Sequence, residues 1–328
     1  MTVRLRFRNT TVRDGIPRAG GNGMKSVRIH SYGDNSVVAI EDIERPVPGP
    51  GELLVRVGAA AVNPVDIQIR EGKHQYWLNH VLPVTLGCDV AGTVEAGDGF
   101  EPGTPVYAYL NLARLGAFAE YAIVKREEAA AAPATLDVVH AASVPVAALT
   151  AWQALFDMAN LEFGQTVLIH AAAGGVGGMA VQLAKWKGAH VIATASEANR
   201  EYVGALGADA FIDYKSQRFE DEVSDVDVVL DAVGGETQER SFGVLKPGGI
   251  LVTLRPPVSE AQAKAAGVRG ANMGVQPDGA RLKQVAQMFD DNLLRTLVEH
   301  RFPLTEAAKA LERLGRGGVR GKIVLTVA

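Results

Sequence analysis

Between an apolar run and a helical one, residues 168–178 read LIHAAAGGVGG. The spacing Ala171-x-x-Gly174-x-x-Gly177 is a variant of the dinucleotide fingerprint with alanine in the first place. Glycine there lets backbone N–H groups approach a bound group with no Cβ in the way. A helix starting near Val176 adds about half a positive charge at its N-terminus, which suits a pyrophosphate. A lone glycine fingerprint says little; this one follows a strand pattern and opens a helix, the context that gives it meaning. The next strand, HVIATA, ends at Ser196 where an acidic residue usually binds a ribose 2′-hydroxyl, and Arg200 follows one helical turn on. A hydroxyl and a guanidinium suit a 2′-phosphate, so NADPH is the expected cofactor. Glu197 complicates this, because it stands one residue past the usual acidic position, within reach of a 2′-hydroxyl.

Other chemistries find no support. There is no Ser-His-Asp arrangement and no reactive-cysteine context. The one cysteine, Cys88, excludes an internal disulfide framework, fits a reducing compartment and reads as a small buried residue. Tyr107 and Tyr109 share one face of a strand and are expected in the core.

The elements that must position the fingerprint fall into two textures. From Lys25 to about Pro133 the chain gives short strands between Gly and Pro turns, such as LLVRVGAAAV, GTVEAG and TPVYAYL. After Pro145, continuous apolar strands alternate with helices: LTAWQALFDMA, QTVLIHA, VGGMAVQLAKWKG, HVIATA, ANREYVGALGA, DVVLDAV and GGILVTL. That alternation predicts a parallel sheet covered on both faces. From about Ala280 come a helix over 281–291, a strand near TLVEHRFP, a helix opened by Thr305 and a last strand, GKIVLTV.

With 328 residues, 47% hydrophobic and 21% charged, the chain is long enough for two domains of ordinary size. A formal charge of −4 argues against nucleic acid or an anionic membrane as partner, and no apolar run is long enough to span a bilayer. The first 23 residues stand apart, with Arg4, Arg6, Arg8, Arg13 and Arg18 against Asp14 alone. An organelle-targeting segment, a disordered arm and an upstream start codon all fit that composition. Lacking serine and a clear apolar face, the stretch is expected to be a disordered extension, and the protein cytoplasmic.

The order of these parts resembles the medium-chain dehydrogenase/reductase superfamily, and within it the quinone oxidoreductase (ζ-crystallin-like) branch. The motifs that carry the resemblance are AAVNPVDIQIREG (60–72), LPVTLGCDVAGTVEAGDGFEPGTPVYAY (82–109), GAFAEYAIV (116–124), LTAWQAL (149–155), the glycine loop and GADAFIDY (207–214). They extend over about residues 25–328. The resemblance implies an α/β fold: a doubly wound Rossmann sheet over 146–279, plus a GroES-like β-rich catalytic domain over 24–145 and 280–328. It implies a cleft between them and NADPH-dependent reduction of quinones or activated C=C bonds. It puts Ser196, Arg200 and Tyr214 at the adenosine 2′-phosphate. Ala173, Gly174, Gly175, Val176, Gly177, Val233 and Leu254 complete the expected cofactor set. Asn63 falls at the position that touches the nicotinamide region and substrate, and its side-chain amide is the expected donor. Tyr76, with Trp77, lies on the loop that should flank the substrate, as a phenol donor or an aromatic wall.

The alcohol-dehydrogenase relatives bind a catalytic zinc at positions matched here by Asn63 and by Gly87-Cys88-Asp89, with a later cysteine that is absent. A catalytic zinc needs about three Cys, His or carboxylate ligands, so no metal is expected. Without a Lewis acid, an alcohol has no obvious means of deprotonation, whereas a quinone or enone asks only for a donor near its developing oxyanion. The expected function is therefore zinc-independent hydride transfer from NADPH to a quinone or an α,β-unsaturated carbonyl. An enoyl-thioester reductase is the alternative within enzymes, although no basic cluster for a phosphopantetheine arm is evident. A non-catalytic NADPH-sensing or RNA-binding protein is the alternative outside them. The segment GVRGANMGV (267–275) is expected to form the last strand of the Rossmann sheet and the contact of a homodimer.

Overall fold

Residues 23–327 are described by a computed structural model. Six strands form one all-parallel sheet in the order Ala210–Asp213, His190–Ala195, Thr166–Ile169, Val226–Asp231, Leu245–Thr253, Arg269–Asn272. Numbered along the chain this is 3-2-1-4-5-6, the doubly wound order, with its switch point between Thr166–Ile169 and Val226–Asp231. Val167, Leu168 and Ile169 have no exposed surface, as expected of a strand covered on both faces. Arg269–Asn272 is the edge, pairing with Leu245–Thr253 alone among the described residues.

A second sheet of seven strands is built around Glu52–Val62, which pairs antiparallel with Lys322–Thr326, Asp89–Gly97 and Tyr121–Lys125. The register decides where three polar residues meet. Ile323 stands opposite Val62 and Ala61 opposite Asp89, so Asn63, Asp89 and Lys322 are brought to one end of the same strand trio. A smaller sheet joins Gly23–Ile29 to Val38–Glu44 and Val84–Thr85. Gly23, which the sequence grouped with the extension, thus opens the first strand, while residues 1–22 lie outside the described residues.

Between the two large sheets runs the helix Pro145–Trp152, whose eight residues are all buried. A helix apolar all round has no solvent face and must be enclosed. It continues as a π-helical turn over Gln153–Met158. Tyr107 and Tyr109 are in the core as expected, with the Tyr107 hydroxyl donating to the Leu282 carbonyl at 2.6 Å. The later helices lie at Gly279–Asp290 and Ala307–Gly315; Thr305 falls within a short 3-10 turn, Leu304–Glu306, that precedes the second.

Candidate active site

The glycine loop joins Thr166–Ile169 to the helix Gly175–Trp186, and its three key glycines answer three different demands. A Cβ on Gly177 would sit 2.2 Å from the Ala171 carbonyl oxygen and 2.7 Å from the Ala172 Cα, so this glycine lets helix and strand approach. A Cβ on Gly175 would lie 2.6 Å from Cδ of Lys322, whose stem crosses the loop there. A Cβ on Gly174 would meet only the Ala171 oxygen, at 3.4 Å; its face is open. Gly174 caps the helix, whose first-turn N–H groups have no partners within it. The open face and the helix N-terminus together make a cradle for an anion. Ala171, where the fingerprint usually has glycine, adopts φ +54°, at a cost of about 1–2 kcal/mol for a residue with a Cβ.

The expected cofactor residues line up beyond the carboxyl ends of five strands. The glycine loop with Ala173 and Val176 follows Thr166–Ile169, Ser196 follows His190–Ala195, and Tyr214 follows Ala210–Asp213. Val233 follows Val226–Asp231 and Leu254 follows Leu245–Thr253. That edge, at the switch point, is where doubly wound sheets hold their ligands. Asp231 shapes the last two turns: one carboxylate oxygen accepts from the N–H groups of Val233 and Gly234 at 2.9 and 2.8 Å, the other from the Thr253 hydroxyl at 2.8 Å.

At the Ser196 turn, Arg200 is not free. Its guanidinium donates to both carboxylate oxygens of Glu197, at 2.7 and 2.8 Å, and lies 4.4 Å from the Phe211 ring centroid. Those hydrogen bonds hold the Glu197 carboxyl below its ordinary range. Arg320, which carries no signal in the sequence, braces the same turn by donating to the Asn199 side chain at 2.7 Å and the Ala198 carbonyl at 2.9 Å.

The other half of the site is a buried polar floor. Asn63 precedes the helix Pro64–Arg70, its backbone N–H donating to Asp66 at 2.8 Å. Proline at the first helical position fits this start. The Asn63 amide nitrogen donates to Asp89 at 2.9 Å and to the Ala61 carbonyl at 3.3 Å, with Cys88 Sγ at 3.7 Å. Its amide oxygen accepts from the ammonium of Lys322, which also donates to Asp89 at 3.3 Å. Asp89 Oδ1 accepts from the Val146 N–H at 2.8 Å, at the start of the buried helix. Asn63 is therefore both the turn residue before Pro64 and a member of this network, with its amide hydrogens already partnered. Tyr76 lies on the short helix Gln75–Leu78, some distance along the chain from that network, and its side chain is outside the described residues, as is that of Trp77.

Burial pushes the Cys88 thiol and the Asp89 carboxyl up, and Lys322 opposes the rise at Asp89. Asp66 is raised to about 7, chiefly by burial, against the pull of the Asn63 N–H. Its Oδ1 has no hydrogen-bond partner. The folded state thus holds the Asp66 proton more tightly than the unfolded chain, so stability from this group is present at pH 4 and lost as pH rises towards 7. Asp66→Asn keeps an acceptor for the Asn63 N–H and removes the charge. Urea unfolding should show a gain of only about 1 kcal/mol at pH 4.5 and a gain of up to about 4 kcal/mol at pH 8. An equal effect at both pH values would refute the assignment.

Comparison with known proteins agrees with this layout. Residues 49–134 match the alcohol dehydrogenase GroES-like domain, and residues 206–325 match the zinc-binding dehydrogenase family. The human mitochondrial NAD(P)H oxidoreductase RTN4IP1 is 33% identical over 91% of this chain and 88% of its own length. A chloroplastic quinone-oxidoreductase homolog of spinach is 32% identical over 92% of this chain and 98% of its own. The chain belongs to the medium-chain dehydrogenase/reductase superfamily. Among solved structures, the quinone oxidoreductase of Coxiella burnetii superposes with a TM-score of 0.87 at 32% identity, covering 93% of this chain and 100% of that one. A mycobacterial protein complexed with NADPH gives 0.84 at 30% identity, over 92% and 99%. The fold is thus the Rossmann sheet plus GroES-like domain that the resemblance implied, and the relatives place this member among nicotinamide-dependent oxidoreductases. The cytoplasmic expectation is overturned: the relatives carry mitochondrial and chloroplastic names, which point to an organelle.

The family description implies zinc, and the residues do not fit one. Asn63, Cys88 and Asp89 stand at the matching positions, but an ammonium bonds two of the three, and among the described residues no group of three or more His, Cys, Asp or Glu is arranged to hold a metal. A nicotinamide dinucleotide does fit, on the open face of Gly174 and the helix N-terminus behind it.

Proposed function

We propose that this protein transfers hydride from NADPH to a quinone or to the C=C bond of an α,β-unsaturated carbonyl, without a metal. The buried Asn63–Asp89–Lys322 network beside the glycine loop carries this conclusion. It holds an ammonium–carboxylate pair beside the positions that match an alcohol dehydrogenase's zinc ligands. Both Asp89 oxygens are already hydrogen-bonded, so the pair supplies neither a Lewis acid nor a free base for an alcohol proton. A bound nicotinamide supplies the hydride; the protein supplies orientation and a cleft that excludes water. Asn63 anchors the floor and Tyr76 is the candidate phenol at the substrate side. Ser196, Arg200 and Tyr214 support the phosphorylated cofactor, with the Glu197 pair as its competitor.

NADPH oxidation measured over quinones, enones and 2-enoyl thioesters tests the assignment. Turnover with a quinone or a simple enone, unaffected by a strong chelator, is expected. Turnover confined to enoyl thioesters would transfer the protein to that class, for which the enoyl reductase CurK is a structural neighbour with a TM-score of 0.85 at 26% identity. Turnover with none, together with RNA retention in a filter assay, would favour a sensing role.

The exposed edge strand Arg269–Asn272 supports a homodimer in which two copies of this edge meet about a two-fold axis. Light scattering across a dilution series should find a dimer at micromolar concentration. A wild type that is monomeric at micromolar concentration would refute the dimer and leave the enzyme assignment standing.

A further inference from the structure

Lys322 is a buried cation in the first position of the last strand, Lys322–Thr326, with 7% of its surface exposed. Nothing in the dinucleotide cradle itself calls for it. The residue before it, Gly321, has φ +67° and donates its N–H to the Ala173 carbonyl at 2.8 Å, so the strand starts against the glycine loop. A Cβ on Gly321 would sit 2.2 Å from the Leu297 carbonyl oxygen, which fixes glycine there. From this start the Lys322 stem passes over Gly175 and ends between Asn63 and Asp89.

We propose that Lys322 is a positioning residue of the hydride-transfer site: bonded to Asn63 and Asp89 with its stem across Gly175, it holds the Asn63 amide in one orientation and ties the glycine loop to the catalytic sheet. The proposal rests on the oxidoreductase reading of this site. The orientation follows from donor and acceptor counting. The Asn63 oxygen faces an ammonium and its nitrogen faces a carboxylate and a carbonyl; a flipped amide would set hydrogens against the ammonium and an oxygen against Asp89. Only one of the two arrangements satisfies all four groups. Asp89, in turn, fixes the first turn of the helix Pro145–Trp152 through Val146. One ammonium thus coordinates the floor, the loop and the helix between the sheets. A buried charge is tolerated only when paired and hydrogen-bonded, which ties all three together in the folded state. Hydride transfer is sensitive to displacements of about 1 Å, so loosening this tie should slow turnover more than it weakens acceptor binding.

The test uses Lys322→Met, which keeps most of the stem and removes the charge, and the double variant Lys322→Met/Asp89→Asn, which removes both charges. With the acceptor that the wild type reduces, kcat of the single variant should fall by about a hundredfold, with acceptor KM within about threefold. An unpaired buried carboxylate destabilises the single variant; the double variant should recover the wild-type Tm while kcat stays low, because Asn63 is free to turn over. In proton–nitrogen spectra of the full chain, the Asn63 side-chain amide pair, identified by its loss in Asn63→Asp, should be slow to exchange in the wild type and fast in the double variant. A double variant that regains wild-type kcat along with Tm would overturn the proposal, leaving Lys322 as the counter-ion of Asp89 alone. An unchanged Asn63 amide pair would overturn it whatever turnover does. A wild type that reduces no acceptor defeats the functional assignment instead, and the amide exchange still decides the role of Lys322.

Discussion

Gly177→Ala should lose dinucleotide binding and destabilise the fold together. The added Cβ would fall 2.2 Å from the Ala171 carbonyl oxygen and 2.7 Å from the Ala172 Cα, both backbone atoms that cannot rotate away. Strand and helix must separate, at a cost of about 3 kcal/mol or more, or on the order of 5–10 °C in Tm. Gly174→Ala provides the contrast. Its Cβ makes one ordinary contact at 3.4 Å, so Tm should stay within about 2 °C, while NADPH affinity, read by fluorescence titration, should drop by tenfold or more because the Cβ occupies the approach to the cradle. Gly177→Ala protein with wild-type Tm and affinity would mean that helix and strand are not in close contact at this turn.

Cofactor choice should depend on a pair of residues rather than on one. Arg200 is engaged by Glu197 in both of its hydrogen bonds, and a 2′-phosphate must compete with that carboxylate for the guanidinium. The wild type is expected to prefer NADPH, and Arg200→Ala should cut the ratio of kcat/KM for NADPH over NADH by about ten- to a hundredfold. Glu197→Gln should move the ratio the other way, because it releases the guanidinium and removes a repulsive charge from the phosphate. Equal kcat/KM for both cofactors in the wild type would refute the preference, and the Glu197 carboxylate would then be the group that serves the ribose.

What the sequence makes legible is limited by the range of the interactions. The glycine loop, the alternation of apolar strands with helices and the edge near residues 267–275 are local patterns, and each formed where expected. Asn63 stood out because a motif surrounds it. Lys322 and Arg320 did not, since a basic residue at a strand start usually faces water; only the register of Ile323 opposite Val62 turns Lys322 inward. The Gly321-Lys322 dipeptide against a second glycine pair at 174–175 was the one available signal, visible only once the two segments are known to touch. The engagement of Arg200 was equally hidden. Its spacing from Glu197 allows an ion pair, but spacing alone cannot decide between a carboxylate partner and a phosphate.

Asn63 and Lys322 are 259 residues apart in sequence and share a hydrogen bond. During synthesis the parallel sheet has all six of its strands by Asn272, well before Lys322 has been made. Domains fold as units as they emerge, and contacts of such separation form late. A nascent chain therefore carries a folded nucleotide-type sheet with an unfinished floor, and its Asp89 waits without a counter-cation until the last strand is threaded beside Glu52–Val62. Ribosome-bound chains stalled before residue 322 should resist proteolysis across the parallel sheet yet turn over no acceptor, because the floor is completed only once Lys322–Thr326 has been translated.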